Sequence, residues 1–431
     1  MAREMKHSGI KWIGDIPQGW KLSRFKYCFR TGTGLNITKA DLVDEGIPVV
    51  SYGQIHAKYN SKTHLSDNLL RYIPVALTSG RGRSKLQKND FVFADTSEDL
   101  EGCGNAVFVD TDKVVYAGYH TVIARPTTNG DFRYLAYLFT TQQWRTQIQE
   151  KVSGVKVNSI TRALLNDCLL IVPPISEQQA IANFLDAKCA EIDGLLEDID
   201  KEVKILAEYK KSIISETVTR GLNHSVSMKQ SGIPWVQEIP EHWKVMANKY
   251  LMYKVKEIVP IYGGQDIISL SMNGVIVRDL DAGGKMPTSF NGYQQITVGN
   301  LLMCLFDIDV TPRCIGLIKN DGLTSPAYSQ FAMREEAYAP YYYYFYLKMD
   351  NTKELVHLSK NMRHSLNEEQ FGMIPTIVPP MDEQIAISKY LDEKIANIDK
   401  TISDKLIQID KLKEYKASLI YEYVTGKNQV I

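Results

Sequence analysis

Apolar residues recur at alternating steps of three and four along two stretches of the chain. In the first, Cys189, Ile192, Leu196, Ile199, Val203, Leu206 and Ile213 hold the spacing, broken by Lys210. In the second, Ile395, Ile398, Ile402, Ile409, Leu412 and Leu419 hold it, with Lys405 and Lys416 on the same line. A heptad pattern sustained in this way predicts a helix whose narrow seam meets a partner helix, not one lying on a broad core.

The two stretches are copies of one unit. Residues 171–219 align with 377–425 without insertion, and 24 of the 49 positions are identical, against roughly three expected from average composition. Each copy opens IVPP, reaches Glu-Gln (Glu177, Gln178; Glu383, Gln384) and closes on EYK and VT. Beyond the opening, Gly194 is the one glycine and there is no proline, so about 40 residues can form one helix roughly 60 Å long. The Pro-Pro pairs stop any earlier helix, and Ser176 and Asp382 stand where N-cap acceptors would. Equal length and register predict that the rods pair with each other, antiparallel. Two independent helices on separate domains are the plainer alternative.

The flanks repeat as well. SGIKWIGDIPQGWK at 8–21 returns as SGIPWVQEIPEHWK at 231–244. Pro17 and Pro240 rule out a continuous helix there, so each segment reads as an extended arm pinned to a domain through Trp20 or Trp243. Between arm and rod lie two inserts of α+β character. Short β-branched and aromatic runs at 47–55, 90–95, 105–110 and 120–126 predict strands, and 132–149 an amphipathic helix. Strand-like runs at 266–270, 300–308 and 314–318, then a helix at 339–349, repeat that order. Yet the inserts share almost no residues, and the second is 17 residues shorter. The frame is duplicated and its contents are not.

This layout resembles the specificity subunits of type I restriction-modification systems. The IP-x-x-W arms, the IVPP-x-x-EQ entries, the twofold alternation of insert and helix, and the SPAY run at 325–328 carry the resemblance over essentially the whole chain. It implies two α/β target recognition domains separated by two long helices that pair as an antiparallel coiled coil, with an internal pseudo-two-fold repeat. The domains would run 1–170 and 223–376, and the spacer helices 171–222 and 377–431. The resemblance further implies a non-catalytic chain that reads a bipartite target in double-stranded DNA. It would bind two adenine methyltransferase subunits and two restriction subunits. Those partners, not this chain, would hold S-adenosylmethionine, ATP and Mg. A coiled-coil scaffold for proteins, without sequence-specific DNA binding, is the competing class.

Composition leaves this reading intact. At 431 residues, 44% hydrophobic and 23% charged, the chain can bury substantial cores. Six scattered cysteines without CxxC, no apolar leader and no long apolar run predict a cytoplasmic protein with reduced thiols, no membrane span and no metal site. Net charge is zero, so only local clusters can speak for nucleic acid. Catalysis finds no support: neither 32–36 nor 80–85 supplies a P-loop, both VPP sites lack the polar residue and aromatic of an amino-methyltransferase, and the 95–99 carboxylates suit turns.

DNA contact suits the polar groups better. Lys58, Lys62, Arg71, Arg81, Arg83, Lys85 and Lys88 crowd one stretch against the single acid Asp67. The 79–85 loop has the composition of a groove-entering segment, with arginines able to bond guanine edges or phosphates. Tyr52, Gln54 and His56 follow a predicted strand and are candidate base readers. In the second insert Gln265, Lys285, Arg313 and Tyr328 are the best donors. Lys156, and Arg363 with His364, lie just before the two helix entries beside the aligned Ser159 and Ser365, where they would suit phosphate clamps. A solvated charged loop and a serine-stabilised turn are the bland alternatives. The run Tyr341 to Tyr344 points all round a helix, which favours packing over base stacking.

Overall fold

The computed structural model describes residues 3–10, 13–152, 154, 156–281, 287–359 and 364–430. The chain divides into two compact units, Met1–Asp198 with Gln408–Ile431, and Ile199–Ile407. Both divisions fall inside the long helices, Ile175–Arg220 and Met381–Val424. Each unit therefore contains one insert and one part of each helix.

In the first unit the arm forms a hairpin, Met5–His7 against Asp15–Pro17, and Lys21–Arg24 pairs antiparallel with Leu169–Val172. Between them lies an antiparallel sheet in the order Phe29–Thr33, Thr121–Pro126, Phe91–Ala94, Ala106–Phe108. Phe91, Val92, Phe93 and Ala94 are all buried because both faces of this strand are covered. Phe91 and Phe93 meet Phe139, and Phe93 also meets Trp144. Val92 and Ala94 join Val50, Ile55, Leu69 and Val107 in a separate core on the other side.

Three local expectations change here. The run at 47–55 is a strand only over Ile47–Val50 and then turns into a short helix, Tyr52–Ile55. The turn is held where Ser51 N donates to Gln54 Oε1 at 3.1 Å. The helix expected at 132–149 is two, Phe132–Thr140 and Gln142–Gln149. Thr141 ends one by donating from Oγ1 to Leu138 O at 2.7 Å and caps the next by accepting from Trp144 N at 3.3 Å. Thirdly, neither Ser176 nor Asp382 is an N-cap. Both lie inside their helix, and the first bonds go to the carbonyls of Pro174, from Glu177 and Gln178, and of Pro380, from Gln384.

The second unit repeats the plan. Met228–Ile233 pairs with Val236–Pro240, and Lys244–Ala247 with Pro375–Val378. Its antiparallel sheet runs Met252–Val255, Ser329–Met333, Leu301–Met303, Ile315–Leu317. In chain order that is first, fourth, second, third, the same winding as in the first unit. The strand expected at 300–308 is confined to Leu301–Met303. The remaining strands differ: Ile47–Val50 of the first insert has a parallel neighbouring strand, Tyr116–Ala117, whereas Glu257–Ile258, Gln294–Ile296 and Gly322–Thr324 are antiparallel to one another, and the parallel pairing is a single bridge between Ile267 and Leu323. Tyr341, Tyr342, Phe345 and Tyr346 are buried on the helix Ala339–Asn351, so the tyrosine run packs.

The helices run antiparallel within each unit. In the first, Phe184 stacks near Tyr423 and Asp193 accepts from Lys416 at 2.6 Å. In the second, Lys405 bonds Glu202 and Lys210 bonds Asp399 at 2.6 Å. The three lysines that interrupt the apolar line thus each meet a carboxylate of the facing helix. Ile192 and Ile398 are buried, while Leu196, Ile199, Val203, Leu206, Ile402, Ile409 and Leu412 are half-buried, as a two-helix seam requires.

The repeated residues outside the seam join each arm and insert to the helix entry. Trp20 and Trp243 are fully buried, and their indole Nε1 groups donate to Glu177 Oε2 at 2.9 Å and Glu383 Oε2 at 3.0 Å. Gln178 accepts from Asp131 N and donates to Pro173 O; Gln384 accepts from Tyr338 N and donates to Pro379 O. Asp186 and Asp392 accept from Tyr137 and Tyr344. Gly426, at φ +73°, follows the second helix; a Cβ there would lie 2.5 Å from the Pro17 ring and 3.0 Å from Trp20.

Candidate nucleic-acid interface

The basic stretch of the first insert separates into two kinds of cation. Arg71 is turned inward, donating to Leu70 O at 2.8 Å and Asn68 O at 3.2 Å, and Lys88 pairs with Asp112. Arg81, Arg83, Lys85 and Lys58 are exposed and, among the described residues, have no ion-pair partner. Their loop is nevertheless anchored. Ser84 is buried and donates to Thr33 O at 3.1 Å, and Arg125 holds Lys85 O at 2.9 Å while it grips the buried Asp90. Bonding to Asp90 also raises the Arg125 pKa. A fixed backbone carrying free guanidinium groups can meet phosphates or base edges with little ordering of the chain.

The candidate base readers do not share one fate. Gln54 uses its amide oxygen to hold Ser51 N. His56 Nε2 donates to Thr96 O at 2.8 Å, which leaves Nδ1 to accept from Asn105 Nδ2 at 3.1 Å. Tyr52 remains half-buried at the centre of a ring cluster with His56, Tyr119 and His120, at centroid distances of 6.1, 5.5 and 5.4 Å. Tyr119 and His120 were not among the candidates from sequence. His120 holds φ +54° and lies 3.2 Å from Asp95, a local geometry that its strand-like context did not signal.

Below this cluster opens a cavity of about 500 Å³, lined by His56, Lys58, Lys62, Asn105 and Arg145, with Glu98, Asp99 and Glu101 also on its wall. Arg145 comes from the helix after the Thr141 break, some forty residues from the acids that it faces, so nothing in the linear pattern joined it to Lys62.

In the second insert, Arg313 is directed inward. Its guanidinium donates to Met272 O at 2.7 Å and Tyr343 Oη at 2.5 Å, and Nε reaches Ile315 O. Gln265 is exposed and accepts from Gly263 N at 2.9 Å. Tyr328 is half-buried beside Phe306, and burial raises its pKa; the SPAY turn is clamped by Gln294, which donates to Ser325 O and Tyr328 O. His364, at φ +43°, lies 3.2 Å from Ser359 Oγ. Lys156 is exposed just before Asn158–Ser159, which pairs with Thr96–Ser97. Ser365 accepts from Asp307 N at 3.4 Å. Lys285 and Arg363 lie outside the described residues.

The acids considered for metal are used in turns: Asp99 accepts from Gly102 N at 2.6 Å, and Asp95 faces His120. Among the described residues no group of three or more His, Cys, Asp or Glu is placed to hold a metal. All six cysteines are free and buried, and burial raises the Cys168 pKa to about 12. No described helix is long and apolar enough to cross a membrane.

Residues 20–204 match the family model of the type I restriction modification DNA specificity domain. Over 97% of its length the chain is 22% identical to a protein of Methanocaldococcus jannaschii assigned as the MjaX type I restriction enzyme specificity subunit, covering 96% of that protein. It is 23% identical to the MjaVIII specificity subunit of the same organism, over 68% of this chain and 70% of the other. The fold matches, at TM-score 0.68 and 13% identity, a solved chain from a description of complex assembly and conformational transition of the type I R-M system, covering 96% of this chain and 99% of that one.

Proposed function

We propose that this type I DNA specificity subunit reads a double-stranded target in two unlike parts, one for each insert, with a gap governed by the helix pair. The observation that carries the reading is the frame built twice: the same sheet winding and the same Trp-Glu and Gln-Pro joints hold two inserts whose remaining strands and surface groups differ. A duplicated mount for dissimilar contents suits a target with two dissimilar halves. In the first insert Arg81, Arg83, Lys85 and Lys58 supply phosphate and groove contacts, and Tyr52, which lines a cavity with Lys58, is the candidate base reader. In the second, Gln265 and Tyr328 are the described candidates, since Arg313 is tied inward.

The chain has no catalytic role of its own. It recruits two adenine methyltransferase subunits and two restriction subunits, which bind S-adenosylmethionine, ATP and Mg, and it works in the cytoplasm where its DNA is. The test is an exchange of residues 31–158 for the insert of a relative, read out by methylome sequencing. The expected result is one altered half of the target with the other half and the gap unchanged. A chimera that alters both halves together sinks the one-insert, one-half reading. Selection from a random DNA pool that enriches no sequence favours the protein scaffold instead.

A further inference from the structure

The cavity beneath Tyr52 holds a cation whose partner is missing. Lys62 sits at φ +70°, a region that side-chain-bearing residues seldom adopt. Its backbone is fixed there: N donates to Asn60 Oδ1 at 2.8 Å, and O accepts from Phe108 N at 3.1 Å. Asn60 is itself buried and bonded to Ile55 O and Ala106 O. The Lys62 side chain lines the cavity, and its ammonium has no hydrogen bond or ion pair among the described residues. Burial, and secondarily the charge of Arg145, bring its pKa down from 10.5 to about 8. The fold thus keeps a desolvated cation in an unfavoured backbone conformation without satisfying it.

The neighbours share the deficit. Arg145 is half-buried and, among the described residues, makes one long bond, from Nε to Cys103 O at 3.4 Å, in which its terminal nitrogens take no part. Glu101 and Asp99 act on Arg145 through space, yet neither forms an ion pair with it, and Asp99 accepts from Gly102 N. No carboxylate contributes to the shift of Lys62. Lys58 is exposed on the cavity wall, as are the acids Glu98, Asp99 and Glu101, which oppose an entering anion. The orphan acceptor Asn105 Oδ1, also on the wall, could take a hydroxyl or amino donor from the same ligand.

We infer that Lys62 and Arg145 form an anion seat that receives one backbone phosphate of the DNA bound by the first insert. Two cations facing one space fit a phosphate oxygen pair, and a cavity of this size accommodates the attached sugar. The inference rests on the DNA-binding reading above, gives Lys62 of the basic stretch a defined role, and adds Arg145, which lies far beyond the 79–85 loop in sequence.

The test uses the full chain and a random-sequence duplex, with affinity measured across a salt series. Lys62→Met and Arg145→Gln should each weaken binding and lower the log-log salt slope by about one. In parallel, thermal unfolding in sodium phosphate is compared with sodium chloride at equal ionic strength. Wild type should gain stability from phosphate, and Lys62→Met should lose that gain while remaining folded. Unchanged affinity and slope in both variants overturn the seat and leave the functional reading standing. Stabilisation by phosphate with an unchanged DNA slope also overturns it, since the site would then take a free anion. A wild-type chain that binds no duplex overturns the DNA reading itself.

Discussion

Glu177 accepts the indole N–H of Trp20 at 2.9 Å across 157 residues of sequence, and the same carboxylate meets Arg3. Trp20 is fully buried, so without this acceptor its polar group would have no compensation. Glu177→Ala should destabilise the first unit by about 1–3 kcal/mol, and Glu177→Gln by less, because the amide oxygen still accepts. Denaturant unfolding of the two variants, alone and with Trp20→Phe, checks this. Additive losses in the double variant would mean that the bond does not hold the arm.

Gly426 is the second joint of that arm. Ala at this position meets both a positive φ and the Pro17 and Trp20 rings, so the loss should exceed the roughly 1 kcal/mol typical of conformational strain alone. Gly9→Ala is the control: its φ is also positive, +75°, but nothing lies within 4 Å. Equal melting temperatures for the two variants would remove the contact argument.

Arg81→Ala and Arg83→Ala should weaken DNA binding and flatten its salt dependence by about one slope unit per lost phosphate contact. Both side chains are exposed and, among the described residues, without ion pairs, so melting should not change. If affinity and slope hold at wild-type values, the loop is only solvated.

Lys62 gives a pH signature in the DNA-free protein. Its folded pKa, about 8, lies below its ordinary 10.5, so the unfolded chain binds the extra proton between these values. Stability lost to Lys62 is therefore present in full below pH 8 and is recovered as pH rises towards 10.5. Lys62→Met should raise stability at pH 7 by up to about 3 kcal/mol, with the difference vanishing above about pH 10.5. Parallel melting curves across that range would contradict this.

Leu206 is half-buried on the seam, and Leu206→Asp places a charge there at a cost of up to several kcal/mol. If the helix pair governs the gap, affinity for the joint target falls because the linkage gain is lost. Targets with the gap lengthened and shortened provide the measurement. Wild-type affinity with the same strict gap preference would show that the helices are not the ruler.

The resemblance to type I specificity subunits is borne out, together with the paired helices and the α+β inserts. The resemblance was legible in repeated motifs, the inserts in β-branched and aromatic runs, and the helix pair in periodicity. A seam residue repeats every three or four positions whatever surrounds it, but the lysines on that line read only as interruptions, and the structure supplied their partners Asp193, Asp399 and Glu202. The Glu-Gln dipeptide was visible as a repeat but not as a joint, since its partners, Trp20 and Asp131, are far away in the chain.

The sequence by itself determined the duplicated frame, the rods and their register, because short-range spacing dictates which face of a helix is apolar. Tertiary structure alone decided that two inserts with almost no shared residues wind their main sheets in the same order, a matter of long-range strand pairing that many sequences satisfy. It also decided which cations are available. Arg71 and Arg313 carry the same charge as Arg81 and Arg83, yet the first two are consumed by backbone carbonyls and the second two face solvent. Charge is a property of the residue; whether it is compensated depends on what the fold brings within hydrogen-bonding distance.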